Sequence, residues 1–230
     1  MKIGLLVPTA FECEALPDLG LPLIRGTYGP GKAAASAAMA QLIHVHQVDA
    51  VLIWGLAGGV APQVKIGDVV VASAVAYHDY DISPLMGATG VGEAPGFSIG
   101  NPWVSLDDEL AAVAHAHLRL AMPDQGVHLG QVASGDRFVQ LKHPEDRNAI
   151  LSAALAVEME GAAAAHVCAL HAAHGGQPVR VCMVRIVSDS ADGAAHFDFA
   201  ETAKALHALN RGVLPGLVAA LRGTGVPPVC

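Results

Sequence analysis

A chain of 230 residues, 53% hydrophobic and only 15% charged, carries enough apolar material for one large domain spanning residues 1–230. Its mean hydropathy of +0.44 comes from alanine, valine and leucine scattered among glycines and charges, and no run approaches the roughly 20 apolar residues of a membrane helix. A formal charge of −8, with Lys plus Arg at 13 and no basic cluster, argues against nucleic acid as a partner.

Residues 2–7 open the chain as an apolar β-strand; the run is too short for a signal-peptide core and stops at Pro8, before Glu12 and Glu14. An Ala-rich helix is expected over 32–46 and a strand over 50–54. The small residues Gly55-Leu56-Ala57-Gly58-Gly59 then read as a turn whose backbone N–H groups are open to a ligand or water. Neither a GxGxxG fingerprint nor a P-loop accompanies it, so no dinucleotide or nucleoside triphosphate is implied. A strand over 68–74 precedes a Gly- and Pro-rich loop from 83 to 102, expected to act as a lid or a partner contact. A helix over 106–120, strands over 127–133 and 154–157, a helix over 161–171 and a strand over 179–187 follow. The last helix, 199–221, is expected to break or bend at Gly212 and Pro215. Alternating strands and helices, with continuously apolar strands, argue for an α/β three-layer sandwich: a central mixed, mainly parallel sheet flanked by helices.

Candidate chemistry gathers at three acidic sites. Asp189 ends an apolar run at Ser188-Asp189-Ser190, the place where open α/β sheets hold ligands, although loop aspartates also serve as turn and cap residues. Glu158 and Glu160 flank Met159 where an apolar run meets an Ala-rich helix, which leaves two readings: helix-terminus acids, or a carboxylate gripping vicinal hydroxyls. Glu12 and Glu14 are either solvated loop acids or a base aimed into a cleft. The twelve histidines include His44, His46, His115, His117, His171 and His174, but none stands at a recognised metal-ligand spacing, and His78 beside Asp79 reads as a local hydrogen bond. No metal or cofactor is expected. Cys13, Cys168, Cys182 and Cys230 form no CxxC, which fits reduced thiols and a cytoplasmic location.

Taken in order, MKIGLLVPTAFECEA, YGPGKAAAS, GLAGGVAPQVKIGDVVVASAVAYHDYD, ASGDRFV, AVEMEGAAAAHVC and VRIVSDSADG with HFDF after it resemble the nucleoside phosphorylase/nucleosidase superfamily. Within it they are most similar to the 5′-methylthioadenosine/S-adenosylhomocysteine nucleosidases. VEMEGAA and RIVSDSADG are the specific segments. The resemblance implies that Asp189 protonates the adenine at N7, supported by Ser188, while Glu12 activates the attacking water. It implies that Glu160 holds the ribose hydroxyls with Met159 beside it, and that Arg185 and Glu158 belong to the same sugar-and-water surroundings. Phe138 and Val139 match purine-contact positions, Phe199 an aromatic over the ribose, and Ala57 and Gly58 the small-residue segment at the ligand.

The residue types suit the reaction. Adenine leaves poorly as an anion and needs an acid, while a cation-like ribosyl fragment is stabilised by nearby carboxylates. Two positions depart from the family pattern: Leu56 stands where a serine is usual and Thr9 where a methionine is usual. These departures leave futalosine hydrolysis as an alternative. Phosphorolysis is disfavoured because the N-terminal region carries Glu12 and no arginine before Arg25. A non-catalytic nucleoside-binding protein would have no need of a water-activating base. The high apolar content and the 83–102 loop also lead to the expectation of a homodimer, and the resemblance implies a small-molecule nucleoside substrate.

Overall fold

The computed structural model describes residues 1–25, 29–80, 93–94, 97–98, 102–143, 148–191 and 199–224. The strands are β1 (Ile3–Val7), β2 (Leu23–Arg25), β3 (Ala50–Gly59), β4 (Val69–Tyr77), β5 (Glu93–Ala94), β6 (Phe97–Ser98), β7 (Val104–Ser105), β8 (Val127–Ser134), β9 (Ala156–Glu158) and β10 (Arg180–Asp189). The helices are α1 (Lys32–His44), α2 (Asp108–Ala121), α3 (Ala149–Ala153), α4 (Gly161–Ala173), α5 (Phe199–Gly212) and α6 (Leu214–Arg222). None of the described helices is long and apolar enough to cross a membrane.

Why the strands read as continuous apolar runs is plain from what covers them. Val51 and Ile53 of β3 face one cluster, with Met39 and Leu42 of α1 and Ala162 and Ala165 of α4. Leu52 and Trp54 face the other, with Leu110, Ala114 and Leu118 of α2 and Leu214, Leu217 and Leu221 of α6. Side chains alternate across a strand, so both faces must be apolar when both are covered by helices. This is the expected helix–sheet–helix layering. The small residues of α1 and α4 let those two helices lie close together over their face.

The sheet is mixed and mainly parallel, and it closes on itself. β10 pairs parallel with β3 and antiparallel with β4; β4 continues through β8 and β9, and β9 returns to β3. Closure is possible because one edge of β3 is divided. Residues 50–53 pair with β1, while Gly58 and Gly59 pair with β9.

Several boundaries differ from the sequence reading, each for a local reason. The small-residue segment 55–59 is not a turn: β3 runs on through Gly59, held by β10 on one side and β9 on the other. β10 likewise continues to Asp189, past a register shift after Val187. Residue 154 belongs to the end of α3, so the strand there starts at Ala156. The final helix breaks at Val213, beside Gly212 and Pro215, into α5 and α6. The short elements β2, β5, β6, β7 and α3 span two to five residues, too few for a hydrophobic period to register. Of the 83–102 loop, the β5–β6 hairpin is described, as is residue 102; the rest lies outside the described residues.

Candidate active site

β1, β3 and β10 are mutually parallel, so their C-terminal ends gather at one edge of the sheet, the place where α/β sheets bind ligands. Glu12 sits in the turn after β1 and is buried. One carboxylate oxygen accepts from the Thr9 amide at 2.9 Å and the Thr9 hydroxyl at 2.6 Å. The other accepts from the Leu56 amide at 2.7 Å. The two departures from the family pattern therefore both meet at Glu12, and Thr9 contributes a hydroxyl to it.

β9 ends at Glu158 and Glu160 is the N-cap of α4, so the two acids share neither a strand nor a helix. Their roles separate accordingly. Glu158 accepts from the amides of Glu160 and Gly161 and from the buried Ser134 hydroxyl, satisfying donors at the start of α4. Glu160 turns the other way, accepting from the Gly31 amide at 2.9 Å. Both receive Arg185 Nη2, Glu160 at 3.1 Å.

Arg185 is fully buried. Burial by itself would favour losing its proton, but Glu158, Glu160 and Glu12 around it hold it charged and raise its affinity for that proton. The converse holds for Glu160. Burial, the strongest influence, pushes its carboxyl up to about 7, and repulsion from Glu158 adds to this while Arg185 pulls the other way. Arg185 Nε and Nη1 have no hydrogen-bond partner among the described residues. A β-carbon on Gly55 would stand 2.5 Å from Arg185 Nη1 and closer still to Glu12 Oε1. Only glycine leaves room between this unsatisfied donor and the Glu12 carboxylate.

Asp189 is the last residue of β10, level with Gly58 of β3, and it is buried rather than a solvated loop acid. Its Oδ1 accepts from the Ala191 amide at 2.9 Å. Ser188 Oγ lies 2.8 Å from Asp189 Oδ2 and 3.2 Å from the Ala57 carbonyl oxygen, so its single proton serves whichever acceptor is free.

A cleft of about 390 Å³ joins these groups, within the size range of small-molecule sites. Its walls include Glu12, Glu158, Glu160, Ser188 and Asp189, with Leu56, Ala57 and Gly58 along β3. Met159, Phe138 and Val139 also line it; Val139 is buried while the Phe138 ring is 68% exposed at the rim. Arg185 stands behind the wall, bound to Glu158 and Glu160. The side chain of Phe199 lies outside the described residues, so that expectation has no structural counterpart.

Sequence reasoning passed over the support of this cleft. Gly31, at φ 113°, presents its amide to Glu160, and a β-carbon there would press to 2.9 Å of Asp136 Oδ1. Lys32 next to it is held by Asp79 at 2.8 Å and by Asp136 at 3.6 Å, while the Asp136 amide donates to Asp79. Burial would raise the Asp79 carboxyl, but hydrogen bonds from Lys32 and the Asp136 amide outweigh it and hold the group below its ordinary range. Asp79 thus has Lys32 and the Asp136 amide as partners, and the adjacent His78 also helps to hold it charged. Lys32, Asp79 and Asp136, one from each of three motifs quoted above, form one ion-paired cluster behind Glu160. Among the described residues no three metal-ligating side chains converge; Cys13, Cys168 and Cys182 are buried, and Cys230 lies outside the described residues.

Comparison with known proteins shows the family to which this fold belongs. The model of the phosphorylase superfamily matches residues 14–219. The chain belongs to that superfamily. Among solved structures, this phosphorylase-superfamily protein is similar to the 5′-methylthioadenosine/S-adenosylhomocysteine nucleosidase of Colwellia psychrerythraea in complex with adenine, at 27% identity, TM-score 0.78, and 99% and 98% coverage of this chain and that one. The Streptococcus pneumoniae nucleosidase with the transition-state inhibitor MT-ImmA is 28% identical at TM-score 0.73, covering 96% of this chain and 99% of that one. The Helicobacter pylori nucleosidase with butyl-thio-DADMe-Immucillin-A is 27% identical at TM-score 0.74, covering 95% and 98%. The superfamily match begins two residues after Glu12, so the placement of that residue rests on the geometry above.

Proposed function

We propose that the chain hydrolyses the N-glycosidic bond of a purine nucleoside of the 5′-methylthioadenosine/S-adenosylhomocysteine type, releasing adenine. The observation that carries this reading is that Glu12, Glu160 and Asp189, 29 or more positions apart in sequence, line one cleft. The similar nucleosidase structures, which hold adenine, the transition-state inhibitor MT-ImmA and butyl-thio-DADMe-Immucillin-A, support the same substrate class.

In this reading the purine lies toward Asp189 and Phe138. Asp189, oriented by Ser188 and the Ala191 amide, gives the proton that neutralises the departing base. Glu160 accepts from the ribose hydroxyls. As the bond breaks, positive charge develops on the sugar, and Glu12, Glu158 and Glu160 set three carboxyl groups against the single Arg185 guanidinium. That excess of carboxylates, fixed in a poorly solvated cleft, favours the cation over the neutral substrate. Water enters on the cleft side of Glu12, which takes its proton. The same arrangement favours water over phosphate, since a phosphate anion would meet Glu12 and Glu160 while Arg185 is already bound to carboxylates.

The test is a phosphate-free hydrolysis assay run in parallel on methylthioadenosine, adenosylhomocysteine, futalosine and inosine. Adenine released from the first two without added phosphate is the expected result. A strict phosphate requirement would turn the reading to a phosphorylase, and preferred cleavage of futalosine would reassign the substrate. Binding without turnover of any of them would leave a nucleoside-binding protein.

A further inference from the structure

Behind Glu12, away from the cleft, lies a polar network that the reaction itself does not use. Asn210 of α5 is fully buried. Its Nδ2 donates to the backbone carbonyl of Glu12 at 3.1 Å and to that of Glu14 at 2.9 Å. Its Oδ1 accepts from the indole N–H of Trp54 at 2.8 Å. Trp54, also fully buried, belongs to the same strand as Leu56, whose amide binds the Glu12 carboxylate. One turn earlier on α5, His207 approaches the same loop, with its ring 6.3 Å from that of Phe11 and Nε2 3.5 Å from the Glu14 carboxylate.

An asparagine amide in the core satisfies its donors and acceptor only with partners in fixed places, and here three of its bonds are made. Two of those partners are carbonyls of a turn that has no strand neighbour to hold it. β1 ends at Val7, and the following residues form tight turns closed by Cys13 and Glu14 amides onto Thr9, Ala10 and Phe11. Left to itself such a turn has several backbone arrangements, and each would carry the Glu12 carboxylate to a different point. The carboxylate end is tied by Thr9 and Leu56, the main-chain end by Asn210.

We propose that Asn210, oriented by Trp54, is a positioning residue for Glu12: it acts through the main chain of the turn, so that α5 sets where the water-activating carboxylate stands. The proposal rests on the reading of Glu12 given above. It adds that a residue touching neither substrate nor water controls the chemical step.

The experiment is a double-mutant cycle between Asn210→Asp and Glu12→Gln, read as kcat, KM for methylthioadenosine, adenine affinity and thermal midpoint. The aspartate keeps an oxygen for Trp54 but turns its other oxygen on the two turn carbonyls. In the native background kcat is expected to fall about 10- to 100-fold, as ångström-scale misplacement of a reacting group does. KM and adenine affinity are expected to stay within about twofold, because the purine and ribose contacts are elsewhere. In the Glu12→Gln background the same substitution is expected to cost less than about twofold in kcat, since the group being positioned is gone. Trp54→Phe, which removes only the indole donor, should show the same pattern at about three- to tenfold, and decides the matter should Asn210→Asp fail to fold. Unchanged kcat in the folded variants, or losses that multiply in full on Glu12→Gln, would overturn the proposal. Native turnover by Glu12→Gln alone would instead overturn the role of Glu12, and the proposal with it.

Discussion

Gly55→Ala is the smallest change that reaches the centre of the proposed chemistry. The new methyl carbon would stand 2.5 Å from Arg185 Nη1 and nearer still to Glu12 Oε1, whereas β-carbons essentially never approach other heavy atoms within 3.0 Å. Each polar group must therefore withdraw by at least half an ångström. Neither is free to do so: Glu12 is tied to Thr9 and Leu56, and Arg185 to Glu158 and Glu160. Overpacking of this size costs about 1–3 kcal/mol of stability. Moving Glu12 also misplaces the group that takes the proton of water, and ångström-scale displacement of a reacting group lowers turnover by as much as about 100-fold. The expected outcome is kcat reduced by about 10- to 100-fold, with adenine affinity nearly native because Asp189 and Phe138 lie away from the change. Adenine release followed spectrophotometrically, adenine binding by calorimetry and urea unfolding check the three parts. A folded Gly55→Ala protein with kcat within threefold of native would refute the placement of Glu12 as the water-activating base.

Asp189→Asn is expected to lower kcat by orders of magnitude while KM changes little, because the proton it supplies is used mainly in the transition state; steady-state kinetics check this. For Glu160, a carboxyl pushed up to about 7 in the fold from 4.5 contributes fully to stability below pH 4.5 and loses that contribution as pH rises through about 7. The loss is on the order of 3 kcal/mol, and urea unfolding from pH 4 to 8 should show that Glu160→Gln flattens this part of the native curve. Lys32→Met strips Asp79 and Asp136 of their cation and loosens the Gly31 amide bound to Glu160; stability should fall by about 1–3 kcal/mol and KM should rise more than kcat falls, seen by unfolding and steady-state kinetics. Light scattering is expected to give a homodimer, and a mass of 23.5 kDa would refute it.

The amino-acid sequence carried more of the layering than of the cleft. Continuous apolar runs such as residues 50–54 and 179–187 can be soluble only between two covered faces, so the helix–sheet–helix order follows from one-dimensional patterning. Short-range chemistry was also legible: Gly212 and Pro215 ended a helix where backbone hydrogen bonding required it. The residues around the cleft were found mainly by their likeness to a family, because a carboxylate in a loop has the same local pattern whether it caps a helix or faces a ligand. Tertiary structure alone divided Glu158 from Glu160, giving one the amides that open α4 and the other the Gly31 amide and the cleft. It alone turned the glycine segment at 55–59 from an apparent turn into a strand, since the pairing that holds it comes from β9 and β10, about 100 and 130 residues away. Asn210, Trp54, Lys32 and Ser134 gave no signal for a related reason. A single buried polar side chain has no period, and its worth depends wholly on which distant backbone group it is folded against.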